Sequence, residues 1–194
     1  MIALPVALLA ALTVPAAPAT PAHIFPLACA HHVNYGHVHH DYPATDMFAP
    51  KGCRFVAPVD GVVDEVATKD RWHSSTNRGA DRGGLSVSIV GADGVRYYGS
   101  HLSAIAVGIT PGVRVHAGET LGKVGNSGDA RGGATHLHFG ISWPTKHNVW
   151  WVRRGEVYPW PYLDAWRAGH DKSPAKAVAA KHAKAGDRGC TTDC

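Results

Sequence analysis

A chain of 194 residues, 45% hydrophobic and 18% charged, is long enough to bury one substantial core. Its formal net charge of +4 favours acidic partners such as anionic wall polymers. Basic and aromatic residues are not interleaved into a platform, which argues against a nucleic-acid partner.

At the N-terminus, residues 2–14 form an apolar run followed by Pro and Ala, with Ala17-Pro18-Ala19 as a cleavage signal. This predicts a secretory leader over residues 1–22, too short to cross a bilayer as a helix. The pattern is atypical in one respect, because no Lys or Arg precedes Lys51. A secreted or cell-envelope location follows, without stable membrane insertion. Four cysteines agree with export, and their even count predicts two disulfides. Cys29 with Cys53 and Cys190 with Cys194 are the most local pairing. No Cys-x-x-Cys pair supports a thiolate zinc site. His31, His32, His37 and His39 fall in a loop-like segment and are expected to face solvent.

Short β-branched or alternating segments at residues 61–66, 85–90 and 95–98 predict an all-β, antiparallel domain. Gly91-Ala92-Asp93-Gly94 supplies a hairpin turn between the last two, and that hairpin ends at His101. Residues 69–84 form a polar, mostly basic insertion, expected as a surface loop able to border a substrate groove.

The chemistry concentrates in Thr135-His136-Leu137-His138-Phe139-Gly140. Side chains alternate along a strand, so His136 and His138 face one side and can share the work around a metal. His101 lies in a second strand-like segment, and His40 with Asp46 lies upstream beside Pro50. Such a set suits zinc, which takes imidazole nitrogen and carboxylate oxygen tetrahedrally and keeps an open position in catalytic sites. Neither a Gly-x-Ser-x-Gly elbow nor a His-Glu-x-x-His helix is present.

With these histidines, Val56-Ala57-Pro58-Val59-Asp60-Gly61-Val62-Val63, Tyr98-Gly99-Ser100-His101-Leu102 and the glycines Gly118, Gly122, Gly125 and Gly128 occur in a particular order. In that order the chain resembles the lysostaphin and LytM type of zinc metallopeptidases over residues 35–141. The resemblance implies a LytM-like, duplicated-hybrid-motif-like antiparallel β domain with long loops, and Zn2+ as cofactor. It makes His40, Asp46 and His138 the metal ligands, and His101 and His136 the catalytic histidines. The first pair departs from the family's usual separation of three residues, since five lie between His40 and Asp46. His39 is therefore the alternative first ligand. An extended segment would give His40 and Asp46 the same parity, but Pro43 interrupts any regular strand there. The implied activity is hydrolysis of peptide bonds in peptidoglycan stem peptides or cross-bridges by zinc-activated water. The alternative is a non-catalytic wall-binding or amidase-activating module.

Five of the six tryptophans follow, between Trp143 and Trp166. They are expected to cap the open side of the sheet, with one or two free to line a groove. Residues 174–184 are Ala/Lys-rich and are followed by Gly186 and Gly189. The expected organisation is a leader over 1–22, a peptidase-like domain over 23–170, and a flexible tail over 171–194.

Overall fold

The computed structural model describes residues 23–189. The leader and the Cys190–Cys194 pairing lie outside these residues. Among the described residues, the strands are β1 (Thr45–Phe48), β2 (Arg54–Val56), β3 (Gly61–Ala67), β4 (Ser86–Gly91) and β5 (Arg96–Ser100), then β6 (Leu102–Ile105), β7 (Arg114–Val115), β8 (Thr120–Val124) and β9 (His136–Ser142). They build a six-stranded sheet, β1-β9-β5-β4-β3-β7, and a three-stranded sheet, β2-β8-β6. Every strand pairing is antiparallel, as the sequence patterns predict. The β4–β5 hairpin turns where Gly91 N–H donates to the Val95 carbonyl (2.8 Å), with Gly94 at φ +76°.

Period-2 alternation in β9 separates core from chemistry. Leu137, Phe139 and Ile141 are fully buried and join Phe55, Leu102, Leu121 and Val124 of the smaller sheet in one apolar cluster. His136, His138 and Gly140 occupy the opposite face. Gly99 lies where the sheets approach, and a Cβ there would press on the rings and methyls of Phe55 and Leu137. The Cys29–Cys53 disulfide forms as expected and ties the N-terminal segment to the start of β2, with Cα atoms 5.9 Å apart.

On the chemistry-bearing face, Arg96 is fully buried. Its Nε lies 2.9 Å from Asp64 Oδ2, and it donates to the Thr145 hydroxyl and carbonyl, both at 2.9 Å. Glu65 beside Asp64 accepts from Arg153, which anchors the short helix α1 (Trp150–Arg153) to the sheet. Breaking such a pair from one side leaves a buried charge uncompensated, which typically costs about 3–5 kcal/mol.

The tryptophan-rich segment caps the sheet in part. Trp166, on α2 (Trp160–Arg167), meets Tyr97 and Phe139 edge-on at 6.1 and 6.5 Å and stacks on His23 at 5.4 Å. Where the sequence suggests a loose tail, residues Ala175–Ala185 form α3. Tertiary contacts account for the helix: Val178 is buried, Trp143 stacks on His182 at 4.7 Å, and Lys181 Nζ lies 3.9 Å from Glu156 Oε2.

His23 joins this cap to the β4–β5 turn. Its Nδ1 lies 2.6 Å from Asp171 Oδ1 and its Nε2 3.2 Å from Asp93 Oδ2. Burial disfavours the imidazolium, but the two carboxylates outweigh it and raise the pKa of His23. Burial likewise opposes ionisation of Asp93, and hydrogen bonds from His23, Tyr97 and the Val95 N–H reverse that and lower its pKa. The raised His23 stabilises the fold fully below its unfolded pKa of about 6.5 and loses that contribution as pH rises through the folded value. The depressed Asp93 contributes above its unfolded pKa of about 3.9 and loses that as pH falls through the folded value. Thermal melts of the parent and His23→Gln should therefore differ most between about pH 4 and 6.5 and converge on both sides. A pH-independent difference would sink this account.

Candidate metal centre and cleft

Four histidines from separate parts of the chain meet around one carboxylate. Asp46, on β1, pairs in register with His138 on β9, and its Oδ1 lies 3.0 Å from His138 Nδ1. The same oxygen is 3.7 Å from His39 Nε2 and 3.9 Å from His136 Nε2. The His101 ring lies 4.8 Å from that of His136 and 6.0 Å from that of His138.

Backbone carbonyls fix which nitrogen of each ring carries its proton. His39 Nδ1 is 3.0 Å from the Tyr42 carbonyl, His101 Nδ1 2.9 Å from that of Ser127, and His136 Nδ1 2.9 Å from that of Ala134. His138 uses its other nitrogen, Nε2, 2.9 Å from the Arg154 carbonyl. A carbonyl oxygen only accepts, so each of these nitrogens is an N–H donor and the second nitrogen of each neutral ring presents a lone pair. His39, His136 and His138 thus aim lone pairs at Asp46, itself an acceptor. Acceptors facing acceptors need a cation between them, and carbonyl-anchored imidazoles are the usual surroundings of a metal. The donor set suits zinc, with His39, Asp46 and His138 as a three-ligand arrangement.

His40 is placed differently from His39. Its side chain is 70% exposed and its Nδ1 lies 3.3 Å from Asp41, while the His39 side chain is 2% exposed. His39, His40 and Asp46 each offer a ligand atom within 4.8 Å of the others, so both histidines stay within reach of the carboxylate. The expectation that His39 is a solvent-facing loop residue fails, because Tyr42 packs against its ring at 4.6 Å and His138 lies 5.2 Å away. His31, His32 and His37 are exposed as expected.

The electrostatics follow from burial. Burial and repulsion from His138 push His39 down to about 4. Burial, then His138 and His136, push His101 down to about 3. Burial alone would raise Asp46, but the surrounding imidazoles hold its carboxyl well below the usual carboxylate range.

Two local devices place these groups. His101 has a left-handed φ of +61°, rare for a non-glycine residue, where the chain passes from β5 in one sheet to β6 in the other. Gly140, on the histidine face of β9, admits the main chain of residue 154, since a Cβ there would collide with the Arg154 carbonyl that holds His138. Around these groups lies a cleft of about 250 Å³, lined further by Tyr42, Tyr98, Asp129, Trp150 and Arg154. Arg82 and Gly83 bring the 69–84 insertion to its edge.

The sequence pattern of peptidase family M23 matches residues 40–149, more than half of the chain. An L-Ala–D-Glu endopeptidase of Bacillus subtilis is 28% identical over 130 residues, 64% of this chain and 35% of the relative. The chain thus spans about a third of that relative's length. Among solved structures, the catalytic domain of lysostaphin from Staphylococcus simulans superposes with a TM-score of 0.51 at 22% identity, over 68% of this chain and 92% of that one. A putative glycyl-glycine endopeptidase LytM from Ruminococcus gnavus gives a TM-score of 0.57 at 23% identity, covering 79% and 63%. At such identities these likenesses carry the fold, whereas the family match takes in Asp46, His101, His136 and His138 together. With its two antiparallel sheets and clustered histidines, this chain belongs to peptidase family M23.

Proposed function

We propose that the chain is a secreted zinc metalloendopeptidase that hydrolyses peptide bonds in peptidoglycan stem peptides or cross-bridges. The observation that supports this most is the convergence of imidazole lone pairs on Asp46, each ring held by a main-chain carbonyl. His39, Asp46 and His138 would hold zinc, with His40 the competing first ligand. Bound zinc lowers the pKa of water from about 15.7 towards ~7 and polarises a substrate carbonyl. His101 and His136 stand beside the ligands, each with Nδ1 held by a main-chain carbonyl and Nε2 left for the cleft, suited to move a proton between the attacking water and the leaving amine. The activity of the Bacillus relative supports a peptidoglycan substrate, and the leader pattern with the Cys29–Cys53 disulfide supports export.

Zymography on purified cell walls tests this reading. The mature protein should clear walls, lose that activity in a chelator and regain it on adding zinc. Zinc retained at one ion per chain without clearing of any wall type would favour the binding or amidase-activating module instead.

A further inference from the structure

Asp70 lies just beyond the end of β3, where the 69–84 insertion begins, and its carboxylate gathers three donors. Oδ1 accepts from the Trp72 N–H at 3.1 Å, and Oδ2 accepts from the Gly128 N–H at 2.9 Å and from Arg131 Nη2 at 2.6 Å. Arg131 also lies over the Trp72 ring, 5.7 Å from its centroid. Trp72 Nε1 and Arg82 Nε both donate to Asn77 Oδ1 at 3.1 Å, which folds the insertion back on itself. Burial opposes the charge of Asp70, and the hydrogen bonds from Gly128, Arg131 and Trp72 outweigh it and lower its pKa.

The loop that Asp70 grips, residues 125–133, supports His101. The Ser127 carbonyl accepts the Nδ1 proton of His101 at 2.9 Å, and Asp129 Oδ1 lies 4.0 Å from its Nε2. The insertion holds the same residue by its main chain, because the His101 N–H donates to the Gly83 carbonyl at 2.9 Å. Ring and backbone are thus held by two different segments, and a left-handed φ of +61° persists where the surroundings over-determine it. Insertion and loop meet closely. The Asp129 N–H donates to the Arg82 carbonyl and the Leu85 N–H to Ser127 Oγ, both at 3.0 Å. A Cβ on Gly84 would collide with the Gly128 nitrogen, and one on Gly128 with the Arg82 carbonyl. The Arg82–Asp129 ion pair across this seam is loose at 4.0 Å, whereas Asp70 meets both Arg131 and the Gly128 N–H at hydrogen-bond distance. Charge-assisted hydrogen bonds of this kind are roughly twice as strong as neutral ones, so Asp70 is the firmest fastening between the two segments.

We infer that Asp70 is a positioning residue for His101: by fastening the insertion to the 125–133 loop, it sets where the Ser127 carbonyl and the Asp129 carboxylate stand relative to the imidazole. Asp70 lies outside the lining of the cleft, so its effect reaches the reaction through the loop. The inference rests on the peptidase reading and adds to it a group on which the proton transfer depends from a distance. Displacing a catalytic group by about 1 Å can cost roughly 10²-fold in rate while the contacts that bind substrate stay in place.

The test pairs kinetics with a spectroscopic readout. On soluble wall fragments, Asp70→Ala should lower kcat about ten- to a hundred-fold, with KM and zinc content close to those of the parent. Asp70→Asn keeps an acceptor for the Gly128 N–H and should recover part of that loss. Arg131→Gln, at a side chain 57% exposed, should lower kcat by less. Asp81→Asn is the control within the insertion, since Asp81 faces Arg78 at 3.6 Å rather than the loop, and it should match the parent. The second readout is the magnetic resonance of protein carrying isotope-labelled histidine. The His101 Nδ1–H should exchange with water at least about ten-fold faster in Asp70→Ala, while that of His39, held by the Tyr42 carbonyl, keeps the parent rate. If Asp70→Ala does not fold, Asp70→Asn and Arg131→Gln carry both readouts. The inference is overturned by an unchanged kcat, by a change confined to KM, or by His101 exchange that stays at the parent rate or rises only in step with that of His39. If the parent digests no wall fragment the peptidase reading falls, and the exchange comparison alone decides whether Asp70 positions His101.

Discussion

Replacing His39 by alanine is expected to strip the protein of zinc, while His40→Ala leaves it loaded. The two residues are neighbours, but their side chains are held by different surroundings. His39 is buried, commits its Nδ1 proton to the Tyr42 carbonyl and directs Nε2 at Asp46 from 3.7 Å. A ring fixed in this way arrives at the metal in the correct tautomer with little entropy left to lose. His40 is 70% exposed beside Asp41, so its lone pair is hydrated and its rotamer is set by water rather than packing. Loss of an outer-shell partner alone weakens metal binding about 10–100-fold, and loss of a ligand should exceed that range. Zinc content after dialysis against a competing chelator, with circular dichroism confirming the fold, measures the difference. Wall clearing by His39→Ala should fall to the level of the chelated parent. Zinc lost from His40→Ala and kept by His39→Ala would instead place His40 on the metal.

The ambiguity between these two residues shows what the sequence could carry. His136 and His138 were legible because strand alternation is strict, and the burial of Leu137, Phe139 and Ile141 on the other face of β9 is the same rule seen from the core. His101 was legible as the end of the β4–β5 hairpin, whose turn residues are explicit. Parity could not decide between His39 and His40, because β1 begins only at Thr45 and the chain from His40 to Pro43 bends. Two-residue periodicity counted back from Asp46 therefore has no strand to run along. The arginines of the cleft were not legible either, since Arg82 and Arg154 are 72 positions apart and line one cleft where Gly79 leaves room for Trp150. The C-terminal segment, Ala/Lys-rich enough for a nascent helix, reads as a flexible tail for a related reason. Its composition offers one buried anchor, Val178, and the stacking of His182 on Trp143 that completes it is a tertiary contact.

His101→Ala should lower kcat by about 10²–10⁴ while leaving zinc content unchanged, the loss expected when a positioned acid–base group is removed. The Nδ1 proton of His101 is donated to the Ser127 carbonyl, so the ring meets the cleft through the lone pair on Nε2. Burial, then His138 and His136, push its pKa down to about 3, so the ring is neutral at rest and needs a neighbouring anion to hold a proton. Asp129 lies 4.0 Å from that nitrogen, close enough to stabilise the imidazolium once a proton has been taken from the attacking water. The geometry therefore favours His101 as the base, with Asp129 supporting its charged state. His136 differs, because its cleft nitrogen is 3.9 Å from Asp46 and its ring packs on Phe48 at 5.3 Å, which ties it to the ligand group. Its removal should also spare zinc but slow turnover, and Asp129→Asn should slow it less than His101→Ala. Metal analysis beside steady-state kinetics on soluble wall fragments separates these outcomes. Zinc loss in His101→Ala would place the residue among the ligands, and an unchanged kcat would remove it from the chemistry.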